Sequence, residues 1–180
     1  MLAHEASLQG GEMGIATPDT IHIERAQPAD AAAVTACVHD AYANYVPRIG
    51  QEPAPMSADY GSLIARGVVF VLREPGGDVC GVLVVVPEQD ALFIENVAVH
   101  PDHQGRGFGR CLLTFAEEQA RAGGLREVRL YTHELMTANI AYFRRLWYDE
   151  IDRRLDHGFR RVFMKKVLEQ QNEPGTASQR

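Results

Sequence analysis

The sequence predicts one α/β domain of the α+β kind, with a mixed, mostly antiparallel sheet. Three observations predict it. Seven β-rich runs are spread along the chain and interrupted by helical patterns. The second, third and fourth runs follow one another through short turn signals, which reads as an antiparallel meander. The length of 180 residues, with no internal repeat, suits a single domain that can bury a core without staples.

The elements follow in order. TIHIERA alternates apolar and polar residues and reads as a first strand. Asp30 stands where an N-cap belongs, before AAAVTACVHDAYANYV, in which Val34, Cys37, Val38 and Ala41 form a helical stripe. PRIGQEPAPM, with three prolines and a glycine, is a loop. SADYGSLIARG reads as a short helix ended by Gly67. VVFVLRE and VCGVLVVVP form a hairpin across PGGD, and ALFIENVAV adds a third strand. After the loop HPDHQGRGFG comes a helix, RCLLTFAEEQARAGG, then a strand, REVRLYT, and a helix, TANIAYFRRL. DEIDRRL and FRRVFMKKV close the domain as two strands. The domain is expected to span about residues 19–168, between aperiodic polar segments at about 1–18 and 169–180 that read as disordered.

Composition excludes several functions. A formal net charge of −6 argues against general attraction to nucleic acid or an anionic membrane. No apolar run approaches bilayer length, and the first residues lack the basic start and apolar stretch of a secretion signal. Cys37, Cys80 and Cys111 are too few and scattered for a disulfide framework, which suits reduced thiols in a cytoplasmic protein.

Gln104-Gly105-Arg106-Gly107-Phe108-Gly109 carries the strongest chemical signal. Closely spaced glycines let a backbone approach a ligand, and the loop opens a helix whose free N–H groups and dipole favour an anion. Arg106 and Arg110 add charge matched to phosphate. The Gly-Lys-Ser/Thr ending of a Walker loop is absent, and the glycine spacing is not that of a dinucleotide fingerprint.

Val97-Ala98-Val99-His100-Pro101 followed by Gln104-x-x-Gly107-x-Gly109 resembles the acetyl-CoA motif of the Gcn5-related N-acetyltransferases, the GNAT family. MTANIAYFRRLWYDEIDRR is similar to that family's second cofactor segment, and GFRRVFMKK to its last strand, so the resemblance covers about residues 20–167. It implies the acyl-CoA N-acyltransferase fold: a seven-stranded sheet flanked by about four helices and splayed between the strands holding Val97 and Leu130. It implies acetyl-CoA as co-substrate, with pantetheine pairing along Val97, Ala98 and Val99 like an added strand. The pyrophosphate would take N–H groups from Gln104, Gly105, Arg106, Gly107, Phe108, Gly109 and Arg110. Asn139 and Phe143, in the second segment, complete the implied cofactor contacts.

Acetylating an amine requires a base for the ammonium, donors for the oxyanion and a donor for the departing thiolate. Glu95 is the candidate base: a lone carboxylate in an apolar strand, placed by alternation on the face of Val97 and Val99. The alternative is a carboxylate that pairs within the sheet or holds a substrate ammonium. The family's tyrosine acid aligns with Phe143, so adjacent Tyr142 is the candidate acid, although one helical step turns it about 100° away. Trp147 replaces a family glycine at a helix end and is expected to pack against the sheet or a second subunit, which makes a homodimer one expected assembly. His133 reads as a surface-loop histidine rather than a catalytic one. His100 and His103 are two ligands without a third, so no metal is expected. Tyr45, Arg48, Met56, Asp59 and Tyr60 lie where the acceptor, a small-molecule or peptide amine, should bind. A non-catalytic acyl-CoA-binding module is the competing reading.

Overall fold

The computed structural model describes residues 21–169, so the two terminal segments read as disordered lie outside the described residues, residue 169 excepted. Seven strands form one sheet: β1 (His22–Arg25), β2 (Val69–Arg73), β3 (Val79–Pro87), β4 (Ala91–Val99), β5 (Glu127–His133), β6 (Asp149–Asp156) and β7 (Phe159–Val167). Their order is β1-β2-β3-β4-β5-β7-β6, and every neighbouring pair is antiparallel except β4 with β5. Five α-helical segments accompany them: α1 (Ala31–Tyr42), α2 (Val46–Ile49), α3 (Tyr60–Ala65), α4 (Phe108–Ala122) and α5 (Thr137–Arg145).

Alternation along the strands makes two cores, one on each face of the sheet. In β2, Phe70 and Leu72 join one cluster while Val69 and Val71 join the other; in β3, Leu83 and Val85 oppose Val82 and Val84. The first cluster is covered by Leu112, Leu113, Ala116 and Ala120 of α4 together with Ile140 and Phe143 of α5. The second is covered by Val34, Cys37 and Val38 of α1 and by Tyr60 and Ile64 of α3. Each large apolar side chain so buried contributes about 1.5–3 kcal/mol. Cys37 is one of these, and burial pushes its thiol up to about 12. Glu117 fixes α4 to β7: both its oxygens accept from Lys166 at 2.8 Å, and one accepts from the Tyr148 hydroxyl at 3.2 Å.

Several local expectations change. Asp30 directs its carboxylate back to the Gln27 N–H at 2.7 Å and to Arg73 at 2.6 Å, and makes no side-chain cap bond to α1. Those two donors hold its carboxyl below the usual carboxylate range, the backbone donor most of all. The proline-rich loop contains helical turns at Val46–Ile49 and Ala54–Ser57. The helix after the glycine loop starts at Phe108, two residues early, because Gly107 takes a left-handed N-cap conformation (φ 85°) and Phe108 can then insert into the first core.

Trp147 has φ 67°, and its ring does not pack on the sheet: the residue is 80% exposed. Local hydrogen bonds explain the placement. The Tyr148 N–H donates to the Phe143 carbonyl (3.1 Å) and the Trp147 N–H to the Arg144 carbonyl (3.1 Å), a Schellman ending with Trp147 at the position that glycine usually takes. The Phe143 and Tyr148 rings, 6.1 Å apart, supply the apolar contact that accompanies it.

Candidate active site

The site begins where β4 and β5 part. Their parallel pairing runs from Ala91↔Glu127 to Ile94↔Leu130 and stops there, which leaves Glu95–Val99 facing a gap. On its other edge β4 stays bonded to β3 through Val99. The Val97 and Val99 carbonyls point away from β3 into the gap: Val97 O lies 3.5 Å from the Tyr42 hydroxyl, and Val99 O accepts from the Gln104 side-chain amide at 3.0 Å. A strand edge whose polar groups have no strand partner is a template for an extended, amide-bearing ligand.

Below the gap lies a cleft of about 660 Å³, lined by Val97, Ala98, Val99, Gln104, Gly105, Gly107, Phe108, Gly109, Arg110, Asn139, Tyr142 and Phe143. Gly105 and Gly107 have φ of 76° and 85°, and a Cβ on either would meet nothing within 4 Å. Both therefore border open space, as a cradle for a bulky anion requires. The N–H groups of Phe108, Gly109 and Arg110 form the first turn of α4 and have no intrahelical acceptor. These features fit the diphosphate and pantetheine of a CoA molecule. The Gln104 N–H does not belong to the cradle, because it donates to the Pro101 carbonyl at 3.2 Å.

Arg106 is placed differently from the sequence expectation. Its guanidinium pairs with Glu74, approaches His103 Nδ1 at 3.1 Å, lies 4.7 Å over the Phe108 ring, and is not part of the cleft lining. Arg106 in turn holds the Glu74 carboxyl below its ordinary value. His100 and His103 turn to separate partners, Asp40 (3.2 Å) and Glu74 (2.9 Å). Among the described residues, Glu74, Cys80 and His103 form one group with ligand-type atoms within 4.8 Å of one another, with Arg106 already on its carboxylate.

Between the cleft and a groove of about 740 Å³ on the sheet's far face lies a passage, a cavity of about 60 Å³ at the splay that shares lining residues with both. Tyr42, Val97, Asn139 and Phe143 line both cleft and cavity; Glu95, Asn96, Tyr131 and Arg161 line both cavity and groove.

Glu95 reaches this passage through a bulge. Val85 pairs with Ile94 and Val84 with Asn96, so Glu95 is the extra residue of β4. Simple alternation therefore fails. Ile94 packs with Val97 and Val99 on the α4 face, Asn96 and Ala98 face α1, and Glu95 lines the cavity and groove but not the cofactor cleft. Among the described residues no hydrogen bond or ion pair holds its carboxylate; its charge is felt by Tyr60 and Tyr131, whose phenols burial already raises.

The tyrosines are divided by the passage. Tyr142 lines only the cleft, with its hydroxyl 3.3 Å from where a Gly109 Cβ would stand, at the phosphate end. Burial raises its phenol, partly offset by Arg110. Phe143 sits at the passage without a polar atom. The residues missed in the sequence are Tyr42 and Asn96, which form one network with Tyr60, already expected near the acceptor. The Tyr42 hydroxyl donates to Asn96 Oδ1 (2.8 Å), Asn96 Nδ2 to the Tyr60 oxygen (3.0 Å), and the Tyr60 hydroxyl to the Pro55 carbonyl (2.8 Å). Two signals were present: Tyr42 repeats the four-residue spacing of Val34 and Val38, and Asn96 is an amide inside an apolar strand.

His133 ends β5 and lines the cavity instead of lying on a surface loop; its Nδ1 accepts from the Leu135 N–H at 3.2 Å, and burial lowers its basicity. Asp59 is committed to capping α3, accepting from the Ser62 N–H (3.0 Å) and hydroxyl (2.6 Å). Tyr60 is buried in the α1–α3 core, with its hydroxyl at the groove.

A sheet split beside a glycine-built helix N-terminus defines an acyl-CoA N-acyltransferase fold. Residues 35–147 match the family described as Acetyltransferase (GNAT), and the chain belongs to that family. It is 40% identical over 82 residues to a "Probable N-acetyltransferase 14" of Bos taurus and to that of Homo sapiens. Each of these matches covers 41% of this chain and only 40% of the relative's length. The PaiA N-acetyltransferase of Thermoplasma acidophilum in complex with coenzyme A superposes with a TM-score of 0.72 at 15% identity, over 83% of this chain and 99% of that one. The ribosomal-protein-S18-alanine N-acetyltransferase of Escherichia coli gives 0.66 at 20%, over 86% and 99%. These two share the fold. Among the described residues no helix is long and apolar enough to cross a membrane.

Proposed function

We propose that the protein transfers an acetyl group from acetyl-CoA to a primary amine of a small molecule or peptide by direct attack. One observation carries this reading: the cavity joins the CoA-shaped cleft to a separate groove, and the unpaired Glu95 carboxylate stands on the groove side. An amine entering by the groove would meet the base before the thioester. Glu95 takes its proton, and the freed lone pair attacks the acetyl carbon. Val97 and Val99 hold pantetheine by their backbone, and the first turn of α4 with Gly105 and Gly107 holds the diphosphate. Tyr142, at the phosphate end, serves cofactor binding in this reading.

Proteins of this fold include one named for a ribosomal protein's alanine and one named for nourseothricin, so both acceptor classes suit it. The test is a thermal-shift series with CoA, acetyl-CoA and longer acyl-CoAs, followed by thiol release on a panel of small amines and peptides. Stabilisation by acetyl-CoA with amine-dependent thiol release is expected. Binding without thiol release on any amine would show an acyl-CoA-binding module instead.

A further inference from the structure

We propose that the Tyr42 hydroxyl donates the hydrogen bond that stabilises the CoA sulphur as the thiolate departs. The proposal rests on the acetyltransferase reading above and assigns a group that reading leaves open. The thioester of a bound acetyl-CoA would lie where cleft and cavity meet, and among the described residues Tyr42, Val97, Asn139 and Phe143 line both. Phe143 has no polar hydrogen, and Val97 offers only its backbone. The Asn139 amide is tethered on both sides, its oxygen accepting from the Tyr45 hydroxyl at 3.2 Å and its nitrogen 3.6 Å from Met136 Sδ, which leaves one amide N–H, a weaker donor than a phenol. Tyr142 is outside the cavity. That leaves the Tyr42 hydroxyl, whose oxygen sits 3.5 Å from the Val97 carbonyl at the edge of the gap.

The network behind Tyr42 holds it there. Tyr60 gives its hydrogen to Pro55, so its oxygen is free to accept from Asn96 Nδ2. With Nδ2 so engaged, Asn96 presents Oδ1 to Tyr42 at 2.8 Å. In the protein without substrate the Tyr42 hydrogen therefore rests on a neutral amide oxygen. Rotation about its C–O bond can deliver that hydrogen to an anion, and a charge-assisted hydrogen bond is roughly twice as strong as a neutral one.

The chemistry balances around this donor. Glu95 first hands the ammonium proton to solvent in the groove; the neutral amine nitrogen then bonds to the acetyl carbon, and the proton it sheds on becoming an amide passes to Glu95. The C–S bond then breaks with its electron pair on sulphur, where Tyr42 donates. Glu95 loses its proton to solvent, and the sulphur takes one from solvent on release as CoA. Burial raises the Tyr42 phenol well above its ordinary value, so tyrosine keeps its proton and acts as a hydrogen-bond donor rather than as an acid.

The test titrates the thiol of bound CoA by its ultraviolet thiolate absorbance, as the difference between CoA-loaded and free protein. In Tyr42→Phe the bound thiol is expected to be about tenfold less ionised at a given pH than in the wild type, a rise of about one pKa unit. CoA affinity should stay within about threefold, and kcat with acetyl-CoA should fall about tenfold, the rate equivalent of the one-unit change in thiol pKa. Adding Phe143→Tyr to Tyr42→Phe returns a hydroxyl to the same junction and should recover part of both losses. If Tyr42→Phe does not fold, fluorotyrosine at position 42, a better donor of the same shape, should lower the bound thiol's pKa. An identical thiol pKa in wild type and variant, both holding CoA, overturns the proposal. So does failure of CoA to bind, which removes the cofactor site with it. A Tyr42-dependent thiol pKa in a wild-type protein that acetylates no amine would uphold the donor and overturn the acetyltransferase reading.

Discussion

The two sides of the splay are built from different materials. On the cofactor side the contacts offered are mostly backbone: the Val97 and Val99 carbonyls, the first-turn N–H groups of α4, and the bare Cα atoms of Gly105 and Gly107. On the groove side, where the acceptor is proposed to enter, they are side chains drawn from β4, β5, β7 and α3, such as Glu95, Tyr131, Arg161 and Tyr60. A site made of backbone must hold one shape, and it suits a co-substrate that does not vary. A site made of side chains can be rewritten one residue at a time without disturbing the sheet. The same residues that bring a carboxylate and aromatic rings to the groove leave the cleft intact.

Glu95→Gln separates the two sides most sharply. The variant keeps the shape of the bulge residue but cannot take a proton, so turnover is expected to fall about 10²–10⁴-fold. Acetyl-CoA affinity should be unchanged, because Glu95 does not line the cleft. The pH–rate profile should also lose the limb that reports protonation of the base. If KM for the amine rises while kcat holds, Glu95 binds a cationic acceptor instead. Wild-type turnover with an unaltered profile would break the assignment and turn attention to His133, across the same cavity.

Gly107→Val attacks the other side. The added side chain enters the open space before α4 and forces a left-handed φ of 85° on a β-branched residue. Strain of about 1–2 kcal/mol is expected in the substrate-free fold. The stabilisation by CoA, about 2.7 kcal/mol at a hundred times Kd, should vanish. A folded Gly107→Val protein with an undiminished CoA shift would show that the diphosphate lies elsewhere.

Arg106→Ala asks how far charge supplements backbone. Since Arg106 is paired with Glu74 and lies off the cleft, its removal should weaken CoA less than tenfold, under about 1.4 kcal/mol. A loss of a hundredfold, measured by calorimetry, would mean that Arg106 leaves Glu74 for the diphosphate when CoA binds.

The backbone-built side was also the legible side. Glycine spacing and strand-then-helix order are local, and all seven strands appeared from alternation and punctuation within a few residues of their bounds. The acceptor side depends on contacts between distant segments. The bulge at Glu95 exists only in the register of β4 against β3, so alternation along ALFIENVAV could not reveal it. Tyr42 meets Asn96 across 54 residues, and Asn96 meets Tyr60 across 36. Asp30 reads as an N-cap because Arg73, 43 residues away, is invisible at that range. Arg106 looked like a phosphate ligand for the same reason: Glu74, just past the end of β2, is 32 residues away.

The smallest effect concerns Trp147, where the cofactor side departs from its own economy of glycines. Trp147 follows Arg145 and Leu146, both of which line the cleft, and closes α5 in a left-handed conformation. Its ring is largely in solvent, so little apolar burial offsets the backbone strain. A non-glycine residue in this conformation costs about 1–2 kcal/mol, while glycine loses about 0.5–1 kcal/mol more chain entropy on folding. The difference favours Trp147→Gly by up to about 1.5 kcal/mol, or up to about 6 °C in melting temperature for a chain of this size. The Schellman hydrogen bonds from Trp147 and Tyr148 are main-chain bonds and should persist, so α5 and the cleft keep their form. CoA affinity is therefore expected to match the wild type while the melting temperature rises. A clear drop in melting temperature that depends on protein concentration would show instead that the indole is buried between two copies of the chain, restoring the homodimer expected from the sequence.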